Sequence, residues 1–235
     1  DVILLEDTCE SMGCEYEGKK LGTFGEMSSF STYFGHHIST IEGGFISTDN
    51  FELYELLLSL RSHGWDRDLS KHTQKKLREE WKVSEFDSMY AFYHAGYNLR
   101  STDLQAYIGL GQIDNLTVWG TKRAANFNTY QRHIKNEYWK PKPYRKSFIS
   151  NFAYPIIHPN RDKIVKALQK NDIQVRPMIC GSMGTQPFYV KEYGKLELPK
   201  VSVIDKYGFY VPNHPQLTKK ELTKIIDIVN KEINV

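Results

Sequence analysis

The pattern of hydrophobic and polar positions predicts an α/β fold. Short apolar runs at 2–5, 27–33 and 43–48 are typical of buried strands, and the first run ends directly in Glu6-Asp7. The segment 15–25 is rich in glycine and charge, which predicts a loop or hairpin. Ligands of open α/β sheets collect at the carboxyl ends of parallel strands, so the acidic pair after the first strand marks a candidate site.

Apolar residues at helical spacing predict two helices in the middle of the chain. The first covers 51–62, with Asp49-Asn50 as its cap. Its predicted core face consists of Leu53, Leu56, Leu57 and Leu60. Ser101-Thr102-Asp103 caps the second, a long pattern that Gly120 could interrupt. Between the two helices, the Lys- and Glu-rich residues 64–86 predict a long loop with some helical content.

Lysine and proline alternate at 140–143, which predicts a linker and places a domain boundary between 120 and 145. We therefore assign 1–137, ending in the long helix, to one domain and 138–235 to a smaller α+β domain. In the smaller domain the pattern predicts strands at 152–157, 173–176 and 209–212 and helices at 161–171, 188–193 and 218–234.

Composition excludes several classes of partner. The 31 basic and 28 acidic residues give a net charge of +3, too weak a field to indicate nucleic-acid binding. We find neither a secretory signal pattern nor an apolar run of membrane-spanning length, and we expect no membrane partner. The three cysteines lack zinc-binding spacing, and an odd number fits a reducing compartment, so the cytoplasm is the default location.

The chain opens directly in the apolar run that follows Asp1, without a lead-in segment. A chain that starts inside a core strand is expected to be a piece of a longer protein.

Candidate chemistry gathers around two adjacent histidines, His36 and His37, which are followed by Glu42-Gly43-Gly44. Consecutive glycines permit a tight turn or a close approach to a ligand. Histidine titrates nearest neutrality, so a histidine on such a loop is a candidate proton carrier. The alternative is a pair of histidines that only form hydrogen bonds within a loop.

The segments 7–11, 28–44 and 96–106 together resemble the DegT/DnrJ/EryC1/StrS family of sugar aminotransferases, which are pyridoxal-phosphate (PLP) enzymes of fold type I. The resemblance extends over the chain and includes 60–65 and Arg176-Pro177. It implies that 1–137 is the C-terminal part of a large PLP-binding domain with a mixed, mostly parallel sheet, and that 138–235 is the small α+β domain. It also implies that a segment which precedes these residues in relatives, roughly the first third of the protein, is absent.

His36 departs from the usual family pattern. In most members the residue six positions before the Glu of Glu-Gly-Gly is the lysine that forms a Schiff base with PLP, and here that position is His36. This departure resembles the dehydratase branch of the family. That branch implies a non-covalently held cofactor, working as pyridoxamine phosphate (PMP), that condenses with a nucleotide-linked 4-keto-6-deoxy sugar. His36 would remove a proton from C4′, the C3 hydroxyl would leave, and ammonia would be released.

The resemblance also implies roles for other residues. Asp7 would contact the pyridine nitrogen of PLP, Glu10 would lie at the ring hydroxyl, and Ser31 would contact the phosphate. Asn98 would reach the cofactor site of a neighbouring subunit, which implies a homodimer. The implied substrate-binding residues are Arg100, Arg176 and His214.

Ser29 lies on the same face of the predicted strand as Ser31 and is a weaker phosphate candidate. His37 is expected to be structural, since adjacent side chains on an extended stretch point in opposite directions.

The cysteine count favours one type of dehydratase. Iron–sulfur clusters need about four cysteine ligands, which three cysteines do not supply. In the dehydratase branch that the chain resembles, the enzymes with such a cluster act on CDP-linked sugars. We therefore expect no iron–sulfur cluster and a GDP-linked sugar as substrate, and the resemblance implies glutamate as the amino donor. Two alternatives stay open: a nucleotide-sugar aminotransferase whose lysine lies elsewhere, and a family member that keeps the fold but is catalytically incomplete.

Overall fold

The computed structural model describes residues 2–234, and their contacts group them into two compact units. The first unit contains the residues up to Met12 together with Leu21–Asp114. The second contains Gly13–Lys20 and the residues from Asn115 onwards. The main part of the second unit therefore begins at Asn115, inside the predicted long helix. The domain boundary expected after residue 137 stays a prediction.

Within the described residues, a group of strands comes first, a group of helices follows, and strands and helices are interspersed in the last part of the chain. The strands are β1 (Leu5–Asp7), β2 (Glu15–Tyr16), β3 (Lys19–Lys20), β4 (Met27–Ser31), β5 (Gly44–Ser47), β6 (Ser147–Phe148), β7 (Ala153–Ile157), β8 (Arg176–Pro177) and β9 (Gly208–Pro212). The α-helices are α1 (Phe51–Arg61), α2 (Lys71–Trp81), α3 (Asp103–Ile113), α4 (Leu116–His133), α5 (Arg161–Gln169), α6 (Pro187–Tyr193), α7 (Pro199–Tyr207) and α8 (Lys219–Ile233).

The sheet of the first unit has the order β1-β4-β5 within the described residues. β1 runs parallel to β4, and β5 runs antiparallel to it. The mixed sheet confirms the predicted α/β class, with one parallel and one antiparallel pair in this part of the chain. The first strand is Leu5–Asp7 rather than 2–5, so Asp7 is its last residue and pairs with Ser29.

Helix α1 begins as predicted but buries a different face. Asn50 caps it by accepting hydrogen bonds from the backbone N–H groups of Glu52 and Leu53. The buried residues are Glu55 and Ser59, and the predicted leucine face remains partly or largely exposed. The polar face is buried because the Glu55 carboxylate accepts hydrogen bonds from the next segment, including one from the Ser70 N–H at 2.5 Å.

The polar stretch 64–86 is more ordered than a long loop. Ser70 caps α2, and Lys82 ends the helix in a left-handed conformation. The side-chain amide of Gln74 donates to the carbonyls of Asp66 and Leu69 at 3.1 and 3.0 Å, so α2 holds the loop that precedes it.

The long helical pattern divides into α3 and α4 at residues 114–115 rather than at Gly120. Thr102 and Gln105 form a capping box at the start of α3. Gly120 is buried inside α4, where an added Cβ would lie 3.3 Å from the Ser150 hydroxyl. The predicted break is therefore wrong, because the small residue serves close packing.

The second unit holds the larger hydrophobic core. In its described part, β9 lies between β7 and β8, and both pairs are antiparallel. Helix α8 begins at a capping box between Thr218 and Glu221 and buries an apolar face as predicted. The core consists of Phe127, Tyr130, Ile134, Tyr154, Ile156, Ile164, Leu168, Phe209, Val211, Leu222, Ile225, Ile226 and Val229.

Two elements of the second unit differ from the sequence prediction. The strand expected at 173–176 is reduced to Arg176–Pro177, and α7 was not predicted. Helix α7 has no buried residues, so it has little apolar periodicity from which it could be recognised.

None of the helices within residues 2–234 is long and apolar enough to cross a membrane.

The first unit exposes apolar side chains on both sheet and helix. Helix α3 buries none of its residues, and Tyr107 and Leu110 are 77% and 70% exposed. On β5, Phe45 and Ile46 are also exposed.

Candidate active site

Asp7 stands at the carboxyl end of β1, where the parallel register places it beside Ser29 of β4. The next residue fixes this arrangement: Thr8 donates from both its N–H and its hydroxyl to the Ser29 carbonyl, at 3.0 and 2.6 Å. The Asp7 Oδ1 atom accepts from the Ser29 hydroxyl at 3.1 Å and from the Cys9 N–H at 3.2 Å. The carboxylate itself remains exposed to a ligand.

Hydrogen bonds hold Asp7 in its ionised form. The Cys9 thiol and the Cys9 N–H lower the pKa of Asp7 most, and Ser29 and the charge of His36 lower it further. Burial and the neighbouring Asp7 raise the pKa of the Cys9 thiol, which favours a protonated, hydrogen-donating thiol. The site therefore combines a stable carboxylate with a histidine close enough to interact with its charge.

The loop that carries His36 begins where β4 ends, and its two sides bond to each other. The Thr32 N–H donates to the Gly43 carbonyl at 3.0 Å, and the Thr32 and Thr40 hydroxyls are 2.6 Å apart. Gly43 has φ +148° and packs against both hydroxyls, so a side chain here would collide with them. The half-buried His36 lies edge-on to the Tyr33 ring, with ring centroids 5.7 Å apart.

Helix α3 supports this loop through two glutamines that sequence reasoning missed. The side-chain amide of Gln112 forms two hydrogen bonds with the Ser39 backbone. Its oxygen accepts from the Ser39 N–H at 3.0 Å, and its nitrogen donates to the Ser39 carbonyl at 2.6 Å. Gln105 donates to the Glu42 carbonyl at 2.7 Å. Gln105 was recognisable only as a capping residue, and no local signal distinguishes Gln112, since its partner is 73 positions away.

The structure thus brings three predicted residues, Asp7, Ser31 and His36, to one end of the first unit's sheet. Ser31 is the last residue of β4, and its hydroxyl accepts from the Tyr33 N–H at 3.2 Å. Glu10 is exposed in the turn that follows Cys9. The assigned roles of these four residues stay predictions.

Asn98 and Arg100 lie against a different segment of the first unit. Asn98 is exposed and forms a β-bridge with Ser62. The Arg100 guanidinium lies 5.2 Å from the centre of the Trp65 ring, and Arg67 lies 3.8 Å from it. Two cations at one aromatic ring form a surface suited to an anion.

Arg176 and His214 belong to the second unit. Arg176 is exposed on β8 and lines an open cavity of about 530 Å³ with Gln174 and Asp172. His214 is exposed after β9, and its carbonyl accepts from the Asn126 amide at 3.2 Å. The assigned substrate contacts of both residues stay predictions.

Comparison with known proteins places this architecture in a class, the PLP-dependent aminotransferase fold. A crystal structure of GDP-4-keto-6-deoxymannose-3-dehydratase with a trapped PLP-glutamate geminal diamine matches with a TM-score of 0.83 and 29% identity, and the match covers 97% of this chain and 61% of that chain. The chain belongs to the DegT/DnrJ/EryC1/StrS aminotransferase family, whose model matches residues 1–230. The predicted family and fold are confirmed.

Two curated relatives are similar over most of the chain. GDP-4-keto-6-deoxy-D-mannose 3-dehydratase of Yersinia pseudotuberculosis is 30% identical over 239 residues, which cover 98% of this chain and 60% of the relative. The enzyme of the same name from Escherichia coli O55:H7 is 32% identical over 222 residues, covering 91% of this chain and 57% of the relative. The chain therefore spans about three fifths of the length of these relatives.

Proposed function

We propose that the protein catalyses the PMP-dependent removal of the C3 hydroxyl from a nucleotide-linked 4-keto-6-deoxy sugar, with His36 as the base. The observation that carries this proposal is the histidine on the loop beside Asp7, at the position where most family members have a lysine. The sugar is GDP-linked and glutamate supplies the amine, as supported by the names of the similar enzymes and by the PLP-glutamate adduct in one of them.

The chemistry of Asp7, Ser31 and His36 fits a pyridoxal-type cofactor. Asp7 offers an ionised, exposed carboxylate to the protonated ring nitrogen, and the Ser31 hydroxyl is a donor for the phosphate. When bound, such a cofactor supplies an electron sink for a carbanion at its C4′ atom. Because an imidazole has no primary amine, His36 leaves the cofactor without a covalent anchor, and the polar residues around it must hold it.

His36 moves the proton in this proposal. Histidine suits this role because an imidazole can both accept and release a proton near neutral pH. The hydrogen bonds from Gln105 and Gln112 hold the backbone of the loop at Glu42 and Ser39, on the C-terminal side of His36. A positioned base of this kind contributes roughly 10²- to 10⁴-fold to the rate.

The nucleotide sugar requires cationic partners. Arg100 and Arg176 present guanidinium groups that suit a diphosphate, and His214 and Asn98 complete the set that we assign to substrate and cofactor. We further infer that the active form is a homodimer, in which Asn98 serves the neighbouring site.

The first experiment locates the cofactor with a substituted lysine. PLP is added to His36→Lys, the mixture is reduced with borohydride, and peptide mass spectrometry identifies the modified residue. We expect a reduced PLP adduct on residue 36, no adduct on this loop in the parent, and none in Phe34→Lys, which places a lysine at an exposed position of the same loop. A His36→Lys protein without this adduct would refute the placement of the cofactor.

The second experiment follows turnover with PMP, glutamate and GDP-4-keto-6-deoxymannose. A dehydratase releases ammonia and a sugar lighter by one oxygen atom, whereas an aminotransferase leaves the nitrogen on the sugar. We expect His36→Asn to lower the rate by roughly 10²- to 10⁴-fold. Adduct formation without turnover would identify a family member that is catalytically incomplete.

A further inference from the structure

The carboxylate of Asp7 is held by two residues to which the proposed mechanism gives no role. Ser29 lies directly opposite Asp7 in the β1-β4 register, and its hydroxyl is 3.1 Å from Oδ1. Cys9 follows two residues later, and its N–H also points to Oδ1, at 3.2 Å. The Cys9 sulfur and the Ser29 oxygen are 3.7 Å apart, so the two side chains contact each other as well as the carboxylate.

The backbone fixes this cluster before any ligand arrives. Thr8 is buried and donates twice to the Ser29 carbonyl, which prevents β1 and β4 from sliding against each other. A slip of one residue would turn Ser29 to the opposite face of the sheet. The contact between Ser29 and Asp7 therefore follows from the register of the strands.

The hydrogen-bond donors around Asp7 favour the ionised form of its carboxylate. An ionised carboxylate only accepts hydrogen bonds, and Ser29 and Cys9 offer hydroxyl, amide and thiol donors to it. The hydrogen bonds from the Ser29 hydroxyl and the Cys9 N–H both end on Oδ1, and the carboxylate is exposed, so a ligand can approach its second oxygen. The charge of the neighbouring His36 also favours the ionised carboxylate. The exposed Glu10 lies on the turn that follows Cys9.

We propose that Ser29 and Cys9 are positioning residues that hold the Asp7 carboxylate ionised and aim its second oxygen at the ring nitrogen of the cofactor. This inference rests on the proposed cofactor contact of Asp7. It assigns Ser29 to Asp7 instead of to the cofactor phosphate, the weaker role that its place on the strand had suggested. Ser31, two residues further along the same face, keeps the predicted phosphate contact.

The direct test measures Asp7 itself, without cofactor. The chain is labelled with ¹³C at the aspartate side-chain carbons, Asp7→Asn identifies the Asp7 signal, and its pKa is followed by NMR titration. We expect Ser29→Ala and Cys9→Ala each to raise the pKa of Asp7, because each removes a donor to the ionised form. Ser29→Thr, which keeps the hydroxyl, restores the parent value, and Ser47→Ala, an exposed serine of β5, changes nothing.

A second readout measures PMP binding by absorbance. Ser29→Ala is expected to weaken the Kd roughly three- to tenfold, the effect of one net hydrogen bond, and Ser29→Thr to recover it. An unchanged Asp7 pKa and an unchanged Kd in Ser29→Ala would overturn the positioning role while leaving the proposed function intact. If Asp7→Asn binds PMP as well as the parent, the cofactor contact of Asp7 fails, and with it the aiming of Oδ2, whatever the NMR titration shows.

Discussion

Helix α2 holds the Trp65 segment through a buried ion pair, and breaking that pair provides a quantitative test. The Arg78 Nε atom donates to Asp66 Oδ2 at 2.7 Å, and the Asp66 side chain is completely buried. Asp66 lies between Trp65 and Arg67, which stack on each other near Arg100. Arg78→Met keeps much of the side-chain length but leaves the Asp66 carboxylate without its cation.

The expected loss of stability follows from the burial of the two partners. Removing one member of a buried ion pair costs about 3–5 kcal/mol, because the remaining charge is left uncompensated in a site of low polarity. The Arg78 side chain is 27% exposed, so water screens part of the interaction and the lower end of that range applies. We expect Arg78→Met to lower the free energy of unfolding by about 3 kcal/mol.

The measurement is urea denaturation, combined with amide hydrogen exchange to show which unit opens. Lys75→Met is the matched control, since it removes a cation from the same helix whose partner Glu79 is exposed, and it should cost less than about 0.5 kcal/mol. In the double variant Asp66→Asn/Arg78→Met, part of the loss should be recovered because no unpaired charge remains. Equal stabilities of Arg78→Met and Lys75→Met, or strictly additive effects in the double variant, would refute the reasoning.

Two further predictions concern a loop anchor and a pH dependence. The Glu6 carboxylate accepts hydrogen bonds from the N–H groups of Gly22, Phe24 and Gly25 at 2.6–2.7 Å. Glu6→Gln should therefore lower the free energy of unfolding by about 1–3 kcal/mol and speed amide exchange at 22–25. The control Glu52→Gln, at the exposed start of α1, should do neither. Burial lowers the pKa of His158, so its neutral form is favoured in the folded state. The chain should therefore lose stability as the pH falls below about 6.5, the pKa of histidine in the unfolded chain. In denaturation measured across that pH range, His158→Asn should show a weaker dependence of stability on pH. An unchanged pH dependence in His158→Asn would assign the effect to other groups.

The sequence determined the family, the fold class and most of the elements. Local signals were sufficient where the physics is local: Asn50 caps α1, Thr102 caps α3, and Thr218 begins an α8 whose apolar spacing matches its buried face. Each of these caps and faces depends on residues within one or two turns of the helix, so the signal lies in a short stretch of sequence.

The interruption of the long helical pattern shows where this reasoning stops. Glycine is a weak helix former, and on that ground a break was predicted at Gly120. Packing against Ser150 instead keeps it inside α4. The same holds for α1, where hydrogen bonds to the segment at Ser70 bury Glu55 and leave the leucines more exposed.

At the candidate site, the sequence supplied the residue types, and the tertiary structure decided how they are paired. Asp7 and His36 could be singled out from motifs, but the contact between Asp7 and Ser29 joins positions 22 apart through a strand register, and Gln112 reaches Ser39 across 73 positions. Such long-range contacts produce no periodic pattern in the sequence, because they depend on which strands and helices pack side by side. The residue types of the candidate site can therefore be recognised from short stretches of sequence, while their relative orientation is determined only in the folded chain.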